Sequence, residues 1–179
     1  MQPNEPDGPI AVRRLHAPLA AERDALAALL IDCVAGGASV SFMHPLAPAR
    51  ARGFWDGVAR GVAAGERALL VAEDAQGIVG TVQLVLAQPE NQPHRAGLSK
   101  LLVHRRARRR GVGEALMRAA EPLARACGKS LLVLDTASAD AERLYDRLGW
   151  LRSGVIPGYA LLPQGGLCAT TFFYRELPG

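Results

Sequence analysis

Apolar positions along the chain fall into stretches of two periods, alternate-residue and three-to-four-residue, and these set out the elements. Ile10 to Leu15 reads as a short strand. Ala20 to Val34 reads as a helix, with Leu26, Leu29, Leu30, Cys33 and Val34 at i, i+3, i+4 spacing and Gly36-Gly37 as its stop. A loop from Ala38 to Leu46 leads to a second helix opened by Pro48, which carries Phe54, Trp55, Val58 and Val62 on one face and ends at Gly65. Arg67 to Glu73 and Ile78 to Leu86 are β-rich runs joined by Asp74-Ala75-Gln76-Gly77, a hairpin signal. A polar, proline-containing loop from Gln88 to Arg95 precedes a strand from Ala96 to His104.

Helical spacing returns over Gly113 to Cys127 at Leu116, Ala120, Leu123 and Cys127, with Pro122 expected to remove one backbone bond and bend the helix. Ser130 to Asp135 reads as a buried strand. Ala139 to Leu148 reads as a helix with Asp140 and Glu142 in its first turn, where the dipole favours them. Trp150 to Pro157 and Leu167 to Glu176 read as closing strands, separated by Gly158 to Gly166, where Pro163-Gln164-Gly165-Gly166 marks a turn. The order β-α-α-β-β-β-α-β-α-β-β, without repeat or linker, predicts one α/β (α+β) domain over residues 10–179 behind a disordered leader, residues 1–9.

Composition narrows the class. The 179 residues are 49% apolar and 21% charged. A chain of this length buries roughly 70% of the surface its unfolded form exposes, so it needs no metal or disulfide staple. Every apolar run is interrupted before the ~18 residues that span a bilayer, so no membrane segment is predicted. Residues 1–9 carry two acids, three prolines and no basic residue, the reverse of a signal-peptide start, which predicts a cytoplasmic protein. Cys33, Cys127 and Cys168 are odd in number and widely spaced, and each is expected to be a core thiol. His16, His44, His94 and His104 are equally scattered, so no metal site is expected.

The formal charge of +4 is local: Arg105, Arg106, Arg108, Arg109 and Arg110 lie within six positions, and without those five it becomes −1. No aromatic residue lies between Trp55 and Tyr145 to interleave with them, which argues against nucleic acid and for a local anion site. The arginines run into Gly111-Val112-Gly113 at a predicted strand-to-helix turn. Glycines there let the backbone approach a ligand closely, and the orphan N–H groups of the first helical turn suit phosphate. A Walker loop would need Lys-Ser/Thr where Glu114 and Ala115 follow, and a dinucleotide fingerprint would need a glycine at Leu116.

Arg108-Arg109-Arg110-Gly111-Val112-Gly113 resembles the Arg/Gln-x-x-Gly-x-Gly/Ala signature of the GNAT superfamily of N-acetyltransferases, and the preceding strand ends in Leu101-Leu102-Val103 as that signature requires. Ala141-Glu142-Arg143-Leu144-Tyr145, then Leu148-Gly149-Trp150, is similar to a second motif of the superfamily, 34 residues on from Gly111 to Tyr145. The likeness runs from about Ile10 to Leu177. Within the superfamily, Gly36-Gly37-Ala38-Ser39-Val40 with Phe42-Met43, Leu134-Asp135-Thr136 and Pro157-Gly158-Tyr159 look like tabtoxin-resistance acetyltransferases.

The resemblance implies a mixed, mostly antiparallel sheet of about seven strands, splayed at the centre and flanked by four helices. It implies acetyl-CoA as cosubstrate, with its pyrophosphate on Arg108, Arg109, Arg110, Gly111, Val112 and Gly113, its pantetheine arm along Leu102 and Val103, and Ala141 also against it. A main-chain N–H near Leu102 or Val103 would polarise the acetyl carbonyl. Tyr145 would protonate the departing thiolate. An acceptor amine with a lysine-like pKa is free base only about once in 2,500 at pH 7, so a proton acceptor is useful. Many members carry a carboxylate on the strand before the turn, but Ala96-Gly97-Leu98-Ser99-Lys100 has none. Asp135 is then the candidate base or ammonium anchor, and its alternative role is a cap on the helix at Ala139.

The acceptor implied is a small-molecule amine, amino-acid-like or a β-lactam toxin, walled by Phe42, Met43 and Tyr159 together with His44 and Trp55. A protein or peptide N-terminal acetyltransferase and a non-catalytic CoA-sensing domain stay open as alternatives. Members of the superfamily often form homodimers through sheet edges or helices.

Overall fold

The structure is a computed structural model and describes residues 8–178, so residues 1–7 of the expected leader lie outside the described residues. The elements are β1 (Ala11–Leu15), α1 (Ala20–Ala35), α2 (Pro48–Ala63), β2 (Arg67–Asp74), β3 (Gly77–Val85), β4 (Arg95–Val103), α3 (Val112–Ala126), β5 (Leu131–Thr136), α4 (Ala139–Arg147), β6 (Leu151–Leu161) and β7 (Leu167–Glu176), with one 3-10 turn at Arg105–Ala107. Seven strands form one sheet in the order β1-β2-β3-β4-β5-β7-β6. Every neighbouring pair is antiparallel except β4 and β5. Among the described residues no helix is long and apolar enough to cross a membrane.

Both faces of the sheet are covered, which explains why β2 reads as an unbroken apolar run. Its Ala68, Leu70 and Ala72 join α3 residues Leu116, Met117, Ala120 and Ala124 in one core, while Leu69 and Val71 join Leu26, Leu30, Trp55 and Val58 of α1 and α2 in the other. Helix α3 continues through Pro122 to Ala126.

Three sequence expectations need revision. The closing hairpin does not stop at Pro157: β6 bulges at Pro157-Gly158-Tyr159 and pairing resumes at Ala160↔Cys168, because proline lacks a ladder donor and Gly158 takes a positive φ of 59°. Trp150 is not the first residue of that strand but part of the stop of α4. Of the three thiols only Cys33 is fully buried; Cys127 caps the end of α3 and Cys168 lies half-buried on β7.

Candidate active site

Strands β4 and β5 pair only at Arg95↔Leu131, Ala96↔Leu132 and Gly97↔Val133, then part. Past Gly97 the side of β4 that faces β5 has no ladder partner, and the gap opens into a cleft of about 900 Å³ walled by Leu98–Val103 on one side and Leu134–Ser138 on the other. Leu102, Val103 and Ala141 all line it.

One end of the cleft is the turn into α3. Gly111 opens the helix at φ 75°. The following N–H groups of Val112, Gly113 and Glu114 have no intrahelical acceptor, and these residues line the cleft. A Cβ on Gly113 would sit 3.3 Å from Leu144 Cδ2, so a glycine here lets α3 and α4 lie close. The five arginines divide. Arg105 donates backbone and side-chain hydrogen bonds to Asp32 of α1, at 2.9 and 2.8 Å. Arg106 and Arg110 both bind Asp74, at 2.7 and 2.8 Å, enclosing its carboxylate completely and holding its pKa far below the carboxylate range. Of these five only Arg108 and Arg109, which have no ion-pair partner among the described residues, line the cleft, where Arg143 and Arg147 of α4 also stand. Arg110, read from sequence with them, faces Asp74 instead.

At the middle of the cleft stand Tyr145 and Asp135. Tyr145 is fixed by the way α4 ends: the N–H of Trp150 returns to the Tyr145 carbonyl at 3.0 Å, the N–H of Gly149 returns to Asp146 at 3.1 Å, and Gly149 is left-handed at φ 79°. This is a Schellman stop, with the rings of Trp150 and Tyr145 6.0 Å apart as its apolar contact. The spacing from Tyr145 to Gly149 and Trp150 is thus the geometry that sets the tyrosine. Its ring packs on Phe173 at 5.5 Å, and its hydroxyl has no hydrogen-bond partner among the described residues. Burial, and secondly the charge of Asp135, push its pKa well above the ordinary phenol. Asp135 itself accepts from Thr170 Oγ1 at 2.8 Å. It does not cap α4; Ser138 Oγ does, accepting from the Ala141 N–H at 3.3 Å.

The far end holds a group that sequence reading passed over. Between Gln83↔Ser99 and Thr81↔Leu102, Lys100 and Leu101 stand opposite the single residue Val82, so β4 bulges, and Lys100 takes φ 53°. Lys100 lines the cleft at this bulge, and its ammonium donates to Ser41 Oγ at 3.1 Å and lies 5.8 Å over the Phe54 ring, both at the border of the lining. Burial lowers its pKa, and the Asp135 carboxylate opposes that shift. No pattern in one sequence marks a bulge of this kind, because it depends on cross-strand register.

The residues expected to wall the acceptor divide by position. Gly36 to Val40 and Leu162 line the cleft, but Phe42, Met43 and Tyr159 do not. Phe42 stacks edge-on against Phe54 at 5.3 Å, Met43 is exposed, and Tyr159, also exposed, rests on Phe172 at 5.9 Å. Cys33 lines the cleft as a neutral thiol, since burial pushes its pKa up to about 11 and its Sγ–H faces the Val103 carbonyl at 3.5 Å.

Comparison with known proteins agrees with this geometry. An N-acetyltransferase from Staphylococcus aureus Mu50 superposes with a TM-score of 0.79 at 15% identity, over 96% of this chain and 100% of that one. A ribosomal-protein-alanine N-acetyltransferase from Brucella melitensis gives 0.78 at 20%, over 93% and 99%. A phosphinothricin acetyltransferase from Sinorhizobium meliloti, in complex with AcCoA, gives 0.77 at 18%, over 94% and 88%. The model of the acetyltransferase (GNAT) family matches residues 39–150, which hold the split strands, the glycine turn and the Tyr145 helix. The chain belongs to the acetyltransferase (GNAT) family.

Proposed function

We propose that the protein transfers the acetyl group of acetyl-CoA to the amine of a small molecule, both bound at once in the cleft between β4 and β5. The carrying observation is the run of one cleft from the α3 amides, past the unpaired edge of β4, to the Tyr145 hydroxyl. The residues fit the group: first-turn amides without intrahelical acceptors and two arginines with no ion-pair partner among the described residues suit a pyrophosphate, and the open edge of β4 suits an arm that hydrogen-bonds like a strand. Acetyl-CoA supplies an acetyl group activated as a thioester.

The remaining work falls to this chain. Val112, Gly113 and Glu114 present amides to phosphate, and Arg108 and Arg109 add charge at the mouth. Glu114 does not oppose them strongly, because Arg118 at 2.8 Å and Arg147 at 3.6 Å offset its charge. A β4 N–H at Leu102 or Val103 orients the carbonyl. Asp135, steadied by Thr170, holds the acceptor's ammonium and receives its proton. Tyr145 gives a proton to the sulfur that leaves and regains one from the nitrogen of the collapsing adduct, so that one of the amine's two lost protons ends on Asp135 and the other replaces the one given to sulfur. The finer likeness to tabtoxin-resistance acetyltransferases, and the structural similarity to a phosphinothricin acetyltransferase, favour an amino-acid-like acceptor such as a toxin.

The test is thiol release from acetyl-CoA across amino acids, polyamines, aminoglycosides, β-lactam amino acids and short peptides, with calorimetry of acetyl-CoA alone. Binding with turnover on a small amine is the expected result. Turnover confined to peptides would replace the acceptor class, binding with no turnover would favour a sensor, and no binding would overturn the reading.

A further inference from the structure

Lys100 lines the cleft as a cation with no ion-pair partner among the described residues. Ser41 occupies one of its three N–H donors. The arrangement around it is specific. Lys100 and Ser41 are two of the three described non-glycine residues with positive φ, at 53° and 77°, and they hydrogen-bond to each other. A left-handed conformation at a residue with a Cβ costs of order 1–3 kcal/mol and persists only where surrounding structure enforces it. Two such residues meeting at one hydrogen bond beside the cleft mark a place where position matters more than backbone comfort.

The surroundings define the chemistry on offer. A half-buried ammonium is costly unless paired, and Phe54 offers only its ring face. The carboxylate whose charge reaches Lys100 is Asp135, which already accepts from Thr170 and acts on Tyr145 as well. A cation and an anion therefore stand in one cleft, with Tyr145 sharing the field of the anion. A ligand that satisfies both carries an ammonium and an anionic group close together.

We infer that Lys100, held by Ser41 on the β4 bulge, is the anchor for a carboxylate of the acceptor, so that the substrates are α-amino acids or analogues with an equivalent acid group rather than simple amines. This rests on the small-molecule reading above and narrows it. Asp135 takes the amino group, Lys100 the acid, and the two contacts set which nitrogen faces the thioester. The selectivity is built in: an acceptor lacking the acid leaves a half-buried cation unpaired.

Matched pairs decide it: α-amino acids and their carboxamides, each assayed by thiol release with the full-length protein and saturating acetyl-CoA. The wild type should favour the acid over its carboxamide by about tenfold or more in kcat/KM, mostly through KM. Lys100→Met should bring the two members of each pair within about twofold, and Lys100→Arg, which keeps the charge, should restore part of the preference. Circular dichroism and acetyl-CoA calorimetry show whether each variant is folded. Turnover by the wild type without preference for the acid overturns the inference and leaves the acetyltransferase reading standing. A fall in kcat of equal size on acid and carboxamide in Lys100→Met also overturns it, since Lys100 would then serve the chemical step. No turnover on any member overturns the inference, and turnover of the wild type on the wider amine panel then shows whether the acetyltransferase reading stands.

Discussion

Tyr145 combines two properties that a proton donor needs. It is almost fully buried, yet its hydroxyl opens on the cleft without a protein partner. Its raised pKa has a definite sign: the neutral, proton-bearing phenol persists above the pH at which a free tyrosine ionises, about 10. The profile of kcat should therefore show no alkaline fall from this residue up to about pH 10, while Tyr145→Phe should lower kcat by about a hundredfold and leave the acetyl-CoA Kd within about twofold. Stopped assays at several pH values, with calorimetry on both proteins, check this. A matching fall in affinity would instead make the hydroxyl a binding group.

Elements hold the turn into α3 from two sides. Asp32 on α1 grips Arg105, and Asp74 at the end of β2 grips Arg106 and Arg110. The two Asp74 contacts are charge-assisted and enclosed, so Asp74→Asn should cost about 1–3 kcal/mol in denaturant unfolding. Hydrogen bonds from Arg106 first, then Arg110, depress the folded pKa of Asp74. The stabilisation is then complete above the unfolded value of about 3.9 and is lost as pH falls through the folded value. The gap between wild type and Asp74→Asn should accordingly shrink as the medium is acidified below about pH 4. A constant gap would mean that the asparagine acts through packing.

Gly80 acts between elements in another way. A Cβ there would stand 2.7 Å from Val112 Cγ1 and 3.1 Å from the Leu102 carbonyl oxygen, where β3 passes under the first turn of α3. Gly80→Ala should lose about 1–3 kcal/mol from overpacking and, by lifting the α3 amides, weaken acetyl-CoA binding as well. Thermal unfolding and calorimetry separate the two effects. A loss of stability with unaltered affinity would show that α3 absorbs the strain away from its first turn.

At the scale of the whole molecule, the sequence was most readable where a signal is local. Periodicity located all eleven strands and helices, Gly111 and Gly113 marked the turn, and the Tyr145 motif is legible because a Schellman stop needs only six consecutive residues. Features set by one strand's register on another were not legible: the bulge that aims Lys100, the bulge that carries β6 past Pro157, and the partition of the arginines. That partition changes the electrostatics of the whole cleft. The run looks like five free charges, but Asp32 and Asp74 engage three of them, leaving the exposed Arg108 and Arg109 with no ion-pair partner among the described residues. Exposed charges are screened by salt, with a Debye length of about 10 Å at 0.1 M and about 3 Å at 1 M. The acetyl-CoA Kd should thus rise about threefold or more between those two ionic strengths, and Arg108→Ala with Arg109→Ala should remove most of that salt dependence. Arg110→Ala should instead lower thermal stability by loosening Asp74 and keep the salt response, because its charge is spent inside the fold. Calorimetry of acetyl-CoA at the two ionic strengths on all three proteins tests the division directly; an equal loss of salt response in Arg110→Ala would place that guanidinium at the cleft mouth with the other two.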